Sequence, residues 1–541
     1  MRNKKKVNIG WIISGVFFLV LLISASFAYF GMFTVNLENK VAVNIHASTI
    51  GNTSFIATSA NLNVIVPTSG MFKGNTGLAA ENTATLTVNL TGAQDVITTC
   101  TYDVVYEYDL SSEIYGSTVA VTSGATKEIT MQVDSPSGTN AFPYEFNFEY
   151  NDPWTAKTST VGAKRILVKG ATIRSVGTST LQKITVTGKY YNLNVDQSQL
   201  ADKNFTGKIY VENNICSAID VPEKASELIL ALNGGKEGIE AKGESTYVYS
   251  AVTNEGMYAI EDDLGTSYYF RGAVDNNWLK FGEVDGKSIY WRIIRINGDG
   301  SIRLLYTGTT APTESQKVVM TGAGTQIGES IYNDNSGKAE YNGYKYEIGK
   351  QHGLANDSTI KLALENWYKT TLYTDERVSK LIVDTPFCYD RSASTSSAGT
   401  YGEISNWVST GTDYYYHGNE IIYGDKTKVR LKCSNELDKY SVANGTLSYP
   451  IGLITIDEIV LAGGRNYGNS FYYLRTGQTY WGGSPYYYVN GNPTISIVQP
   501  SGYLNHSFID SPNGIRPVIN LSSEAKLSGD GTWNNPYVVE S

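Results

Sequence analysis

The chain has 541 residues, a formal net charge of −9 and only 18% charged side chains. That length gives room for about two to four domains with cores of their own, and the weakly acidic balance speaks against a nucleic-acid partner, which leaves a basic footprint. A chain rich in Tyr, Gly, Thr, Ser and Asn fits an exported, mainly β protein.

Arg2, Lys4, Lys5 and Lys6 precede an apolar run that meets no charge until Glu38 and has its core from Ile9 to Phe33. It exceeds the ~7–15 residues of a signal-peptide core and reaches the ~20 needed to span a bilayer. Basic residues flank only its N-terminal side, which keeps the N-terminus in the cytoplasm and sends the bulk outside. Residues 1–33 are therefore expected to form a basic tip and a transmembrane signal-anchor helix of a single-pass cell-membrane protein. Ala25-Ser26-Phe27-Ala28 also offers a small-residue cleavage site, and cutting near Ala28 would secrete the chain.

Residues 34–216 carry short apolar/polar alternations between turn residues, among them Val41 to Ile45, Ala84 to Leu90, Thr99 to Tyr106, Lys183 to Thr187 and Gly207 to Glu212. Runs of period two rich in Val, Thr, Ile and Tyr predict the strands of an extracellular β-sandwich. His46 lies in one such run and reads as a surface or packing residue. Ser24-Ala-Ser-Phe-Ala-Tyr-Phe30 followed by this β-rich stretch, with Asn204-Phe-Thr-Gly-Lys-Ile-Tyr-Val-Glu212 at its close, resembles the TasA/camelysin-type exported proteins of Firmicutes. The resemblance implies a jelly-roll-like sandwich, processing near Ala28 and, as in some relatives, self-association into biofilm fibres.

Residues 217–248 change texture. Pro222 suits a first helical turn, Ala225 to Leu232 are mostly good helix formers, and Asn233-Gly-Gly235 ends the run. A linker with a short helix is expected here.

Of the 40 tyrosines 30 lie beyond residue 240, so the aromatic bias belongs to residues 249–541. Tyr268 to Arg271 and Ile289 to Ile296 read as strands. Asn297-Gly298-Asp299-Gly300 then leads into Ser301 to Tyr306 as a hairpin, since such turns need positive φ. It lacks the further spaced carboxylates of a calcium loop. Ile360, Leu364, Trp367 and Tyr368 follow helical spacing behind Asp357 or Ser358 as N-cap, and a shorter helix is expected from Asp375 to Leu381. Leu453 to Leu461 reads as a strand. Trp481-Gly-Gly-Ser-Pro485 and Arg516-Pro-Val-Ile-Asn-Leu521 then close the domain. Taken in order, these elements resemble Firmicutes surface domains of the C-type-lectin-like or formylglycine-generating-enzyme-like kind. The resemblance implies an α+β lectin-like fold and leaves the ligand open, because such folds host unrelated ligands.

The four cysteines form no CxxC pair, which speaks against a thiolate zinc site. They fall two and two into the proposed domains, so an exported chain is expected to pair Cys100 with Cys216 and Cys388 with Cys433. In formylglycine-generating relatives a cysteine pair binds copper, and Cys388 and Cys433 are read instead as a structural disulfide. The chain has no HExxH, GxSxG, Walker or dinucleotide-binding motif. His352 and His506 sit in polar contexts and read as solvated. Asp457 and Glu458, adjacent on a strand, would point to opposite faces and could not flank one glycosidic bond. No catalytic residue, metal or cofactor is therefore expected.

The expected molecule is mainly β with a minor α+β part: an anchor, a sandwich stalk and a lectin-like, adhesin-like tip that binds a surface glycan or protein. Tyr486, Tyr487, Tyr488, Asn490 and Asn492 are the expected contacts, with Tyr414, Tyr415 and Tyr416 as a second exposed patch. Tyrosine rings can stack on a ligand while asparagine amides orient it. The alternatives are a structural subunit of a TasA-type matrix or fibre and, below it, an extracellular enzyme.

Overall fold

A computed structural model describes residues 41–46, 52–68, 76–93, 96–114, 118, 127–134, 145–148, 164–176, 179–242, 256–394, 414–423, 428–466 and 471–540. The expected membrane segment, Ser24 to Phe30 and the cleavage site near Ala28 lie outside these residues. Among the described residues no helix is long and apolar enough to cross a membrane. The chain divides into two compact units, Met1–Val221 and Pro222–Ser541. Both are mainly β.

The first unit contains β1 (Val41–His46), β2 (Asn52–Ala57), β3 (Ala60–Ile65), β4 (Thr76–Thr91), β5 (Val96–Tyr108), β6 (Ile129–Asp134), β7 (Glu145–Phe148), β8 (Lys164–Val176), β9 (Ser179–Leu193) and β10 (Asn204–Asp220). One sheet runs β1-β2-β4-β9-β6-β7 and the other β3-β10-β5-β8. Four antiparallel pairs are nested in sequence, β3 with β10, β4 with β9, β5 with β8 and β6 with β7, and they alternate between the two sheets.

Alternation explains why the sheets pack face to face. Ala84, Leu86, Val88 and Leu90 of β4 and Ile184, Val186 and Tyr190 of β9 join one buried cluster with Leu62, Val64, Tyr102, Val104 and Phe205 of the other sheet. Gly188 lets the sheets approach, since a Cβ there would stand 2.9 Å from Leu62 and 3.1 Å from Val64. On the outer face Thr83 pairs with Thr187 and Thr85 with Thr185, each with hydroxyls 3.2 Å apart. Such cross-strand threonine pairs add to sheet stability. Cys100 and Cys216 lie directly opposite on β5 and β10 and are joined as a disulfide.

The connector does not stand apart. β10 runs on to Asp220, and the helices α1 (Ala225–Leu232) and α2 (Lys236–Glu240) belong to the second unit. Ala225, Leu228, Ile229 and Leu232 are buried, the Ala225 N–H donates to the Ala525 carbonyl at 3.0 Å, and the Tyr268 hydroxyl donates to Glu240 at 2.6 Å. The expected linker over 217–248 is thus corrected as far as Lys242, while 243–248 lie outside the described residues: four apolar side chains on one helical face find a surface to bury against.

In the second unit one sheet runs β11 (Gly256–Asp262), β12 (Gly265–Arg271), β14 (Lys287–Ile296), β13 (Trp278–Val284), β28 (Tyr537–Val539) and β27 (Leu527–Ser528). Within the same sheet β15 (Ile302–Gly308) pairs with both β14 and β26 (Val518–Leu521). The other sheet runs β16 (Glu329–Ser330), β25 (Asn513–Gly514), β22 (Tyr480–Val489), β23 (Asn492–Val498) and β24 (Leu504–Phe508), with β20 (Tyr414–Tyr415) on β22. Short pairs join β17 (Lys345–Tyr346) to β18 (Asn356–Asp357) and β19 (Phe387–Cys388) to β21 (Lys439–Tyr440). The helices are α3 (Thr359–Thr371), α4 (Glu376–Ser379), α5 (His417–Tyr423) and α6 (Ile456–Leu461).

The hairpin between β14 and β15 turns at Asn297 to Ser301, with the Asn297 N–H donating to the Ser301 carbonyl at 2.7 Å. Gly298 is needed for a close approach as well, because a Cβ there would lie 2.3 Å from the Gly265 nitrogen. Helix α3 starts on Ser358, whose hydroxyl accepts from Lys361 N, and buries Ile360, Leu364 and Tyr368, while half-buried Trp367 meets the Tyr306 ring edge-on at 5.8 Å. α4 is capped by Asp375.

The segment Leu453 to Leu461 departs from its expected strand. Thr455 and Glu458 form a reciprocal capping box and Ile456–Leu461 is helical. The Thr-x-x-Glu spacing satisfies two N–H groups at the helix start, which outweighs the weak strand preference of the β-branched run.

Trp481 and Arg516 are framework residues. Trp481 is fully buried and its indole N–H donates to the Ser330 carbonyl at 2.8 Å. Ser484 accepts from the Ile456 N–H at 3.0 Å and so fixes the start of α6. Buried Arg516 donates to the carbonyls of Tyr306 and Leu474 and lies over the Tyr480 ring. Arg292 is held likewise by the Lys317 and Val274 carbonyls, with Trp278 and Tyr473 against its plane. A guanidinium's flat fork suits carbonyl and ring partners at once.

Candidate functional site

The tyrosines expected as contacts divide by burial. Tyr486, Tyr488, Tyr414 and Tyr416 are 1%, 3%, 5% and 1% exposed. They are core, which corrects the expectation that they form an exposed contact surface. Tyr488 packs with Tyr414 and Ala339 and donates to the Gly337 carbonyl at 3.1 Å, and the Tyr416 hydroxyl donates to the Ala339 carbonyl at 3.2 Å. A phenol buries its ring readily when its hydroxyl finds a partner.

Tyr487 and Tyr415 alternate with Tyr488 and Tyr414 onto the other face and are half-buried, and at the irregularity between Pro485 and Tyr487 the buried Tyr486 ring lies 5.1 Å from Tyr487 on that same side. Tyr487 and Tyr415 pair directly across β22 and β20, with ring centroids 5.8 Å apart. The same row continues through Thr494 on β23 to Phe508 on β24, and Phe508 is 49% exposed. His506, two residues before Phe508, lies on that face too. Its ring stacks on Tyr486 at 4.5 Å and 10°, and its Nε2 is 2.8 Å from the Tyr487 hydroxyl. Its Nδ1 is buried without a partner among the described residues, and burial lowers its pKa. Tyr415, Tyr487, His506 and Phe508 therefore form one aromatic ledge.

The expected solvated loop position for His506 is thus corrected, and its apolar-flanked alternation Leu504-Asn-His-Ser-Phe508 was the available strand signal. His352 is also paired, its Nδ1 lying 3.0 Å from Asp438. Asn490 and Asn492 are exposed at the end of the β22–β23 hairpin beside the ledge strands. Asn490 and Gly491 both have positive φ, 52° and 80°, as a two-residue hairpin turn demands. Asn490 thus has a conformational reason to be there, and its side chain still faces outward.

A second feature is a charged cleft of about 140 Å³, which Cys388, Asp457 and Glu458 line without having pointed to it in the sequence. Its floor is an ion-pair network. Glu458 accepts from Arg295 Nε at 3.0 Å and Arg303 Nη1 at 2.7 Å, and Arg295 Nη1 reaches Asp262 at 2.8 Å. Burial would raise the Glu458 pKa, yet Arg303 and Arg295 outweigh it and hold the carboxyl at about 2. On the wall Asp390 accepts from Arg430 Nη2 at 2.6 Å and from the Ser434 hydroxyl. Burial opposes its charge too, but His417, Ser392, Ser434 and Arg430 bring it down to about 2.

Asp457 accepts from the Arg430 N–H at 3.0 Å and meets His417 Nε2 at 3.1 Å. His417 is 2% exposed; burial lowers its pKa, and the charge and hydrogen bond of Asp457, with Asp390, more than reverse that. Cys388 lines the cleft and is disulfide-bonded to Cys433 as expected. Asp457 and Glu458 do diverge, now as neighbours on a helix, one toward His417 and the other toward the arginines. Glu458 and Asp390, held ionised, supply no proton near neutrality and are weak bases. Among the described residues no three His, Cys, Asp or Glu side chains are grouped to hold a metal ion.

No protein-family model matches the chain, and no curated protein matches it.

Proposed function

We propose that this chain is a membrane-anchored bacterial cell-surface protein whose second unit is a lectin-like, adhesin-like binding domain without catalytic activity. The single observation that carries the reading is the ledge of Tyr415, Tyr487, His506 and Phe508 on one sheet face. Flat, partly exposed rings bind sugar faces or protein side chains at low entropic cost, and neighbouring Asn490 and Asn492 offer both donors and acceptors. A disulfide in each unit fits assembly in an oxidising compartment. The apolar run Ile9 to Phe33 behind four basic residues fits an anchor with the N-terminus inside.

The ligand class is a surface glycan or a protein. The test replaces Tyr415 and Tyr487 by Ser in the full chain and measures binding to host cells and to a glycan array. Loss of binding with an unchanged circular dichroism spectrum is the expected result. Full binding by the folded variant sinks the assignment.

One observation favours a second reading. The nested, sheet-alternating pairing of β3 to β10 fits the jelly roll that the TasA/camelysin resemblance implies, and among the described residues the 13-residue β8 pairs on one side only. Long free edges template strand addition, so a matrix or fibre subunit is the alternative. Concentration-dependent filaments from residues 34–221 would support it.

A further inference from the structure

We propose that the charged cleft of the second unit binds a small zwitterion, an α-amino acid with a compact apolar side chain. No residue of the aromatic ledge lines this cleft, so the inference stands independently of the ledge.

Size sets the first limit. A cavity near 140 Å³ matches a ligand of about six heavy atoms, since a ~150 Å³ cavity accommodates benzene. Charge sets the second. The lining carries five carboxylates and five basic side chains, so its net charge favours neither an anion nor a cation.

Most of these groups satisfy one another, but two side chains more than nine-tenths buried retain unused polar atoms. Arg295, 5% exposed, uses Nε and Nη1 on Glu458, Asp262 and Ser267, and its Nη2 has no partner among the described residues. Asp457, 6% exposed, uses Oδ1 on the Arg430 N–H and His417, and its Oδ2 has none. Neither atom is sealed from solvent, so the cleft presents one free donor and one free acceptor of opposite charge, and a ligand that meets both gains two charge-assisted hydrogen bonds. A carboxylate for Arg295 and an ammonium for Asp457 do so in one molecule. A lone anion would leave Asp457 unmet and a lone cation would leave Arg295 unmet.

The rest of the lining is mixed, with Asp263, Lys432, Lys439, Thr385 and Thr455 beside an apolar group. Leu264, Pro386, Leu431 and Cys388 form that apolar group, which suits a short hydrocarbon side chain, and the cavity volume leaves no room for a long one.

The test is titration calorimetry of the full chain with glycine, L-alanine and D-alanine, and with acetate and methylammonium as half-ligands. Saturable heat is expected from at least one zwitterion and from neither half-ligand at the same concentration. Asp457→Asn keeps the shape and the acceptor for His417 and is expected to weaken binding at least about tenfold. No saturable heat from any of the three up to about 10 mM, a weak limit on the affinity scale, overturns the proposal. So does equal heat from a half-ligand, or unchanged affinity in folded Asp457→Asn. Should that variant fail to fold by circular dichroism, Leu264→Trp takes its place. Leu264 is 45% exposed, so the larger ring is tolerated by the fold while obstructing the cleft, and unchanged binding in that variant also overturns the proposal.

Discussion

Two histidines of the second unit respond to pH in opposite directions. Burial depresses the His506 pKa, so between the ordinary value of about 6.5 and the lower folded value the unfolded chain binds the proton first. Its contribution to stability is therefore complete above that ordinary value and is lost as pH falls through the folded one. His417 is the reverse. Asp457 and Asp390 raise its pKa against burial, so its contribution is complete below the ordinary value and is lost as pH rises through the folded one. Melting temperature followed from pH 5 to pH 8, ordinary assay limits for histidine, is expected to lose its acid-side slope in His506→Phe and its alkaline-side slope in His417→Gln. The same slopes in wild type and both variants would contradict these assignments. Glu458→Gln removes the carboxylate shared by two buried guanidiniums, and urea unfolding is expected to register a loss of about 3–5 kcal/mol. None of this was legible in the chain. A histidine's role depends on which carboxylate or ring the fold brings to it, and His417 meets Asp457 from 40 positions away.

At the scale of elements, local signals read well where they were self-contained. The Ser358 cap with its apolar stripe and the Asn297 to Gly300 turn lie within a few residues of the elements they start or join, and both formed as expected. Leu453 to Leu461 was misread because its β-branched run drew more weight than Thr455 and Glu458, which cap the helix reciprocally. Thr455→Ala is accordingly expected to cost about 1 kcal/mol in urea unfolding; no change would deny the cap its role. Tyr486 to Tyr488 are expected as contacts and not as part of a strand, yet they lie on β22, and which face of it stays open is not legible in the chain. Alternation separates Tyr487 from Tyr488, and only the pairing with β20 and β23 says which side carries the core. The Cys388–Cys433 disulfide closes a loop of 45 residues on the cleft. By chain entropy it is worth about 4 kcal/mol, so the double Ser variant is expected to unfold at clearly lower urea. An unchanged midpoint would mean that the bond constrains little.

For the whole molecule, composition and periodicity foretold two β-rich regions, each with its own disulfide, and these are two compact units with separate cores. The boundary was misplaced because Ala225 to Leu232 looks like a free helix in a Gly-rich connector. Only the fold supplies its partner, the segment around Ala525, some 300 residues later. Residues 222–541 are therefore expected to fold alone with a single cooperative melt, and a fragment starting at 249 to melt lower. The cleft escaped sequence reading for the same reason of distance, since Arg295 and Asp457 come from a strand and a helix and Asp390 and Arg430 from two separate loops.

The ledge is where the functional claim stands most exposed to test. Full-length wild-type chain and Tyr415→Ser/Tyr487→Ser are compared for binding to host cells and a glycan array, with circular dichroism as the control for folding. Ledge-dependent recognition predicts saturable wild-type binding that the folded double variant loses. Equal binding by the two folded proteins would contradict it.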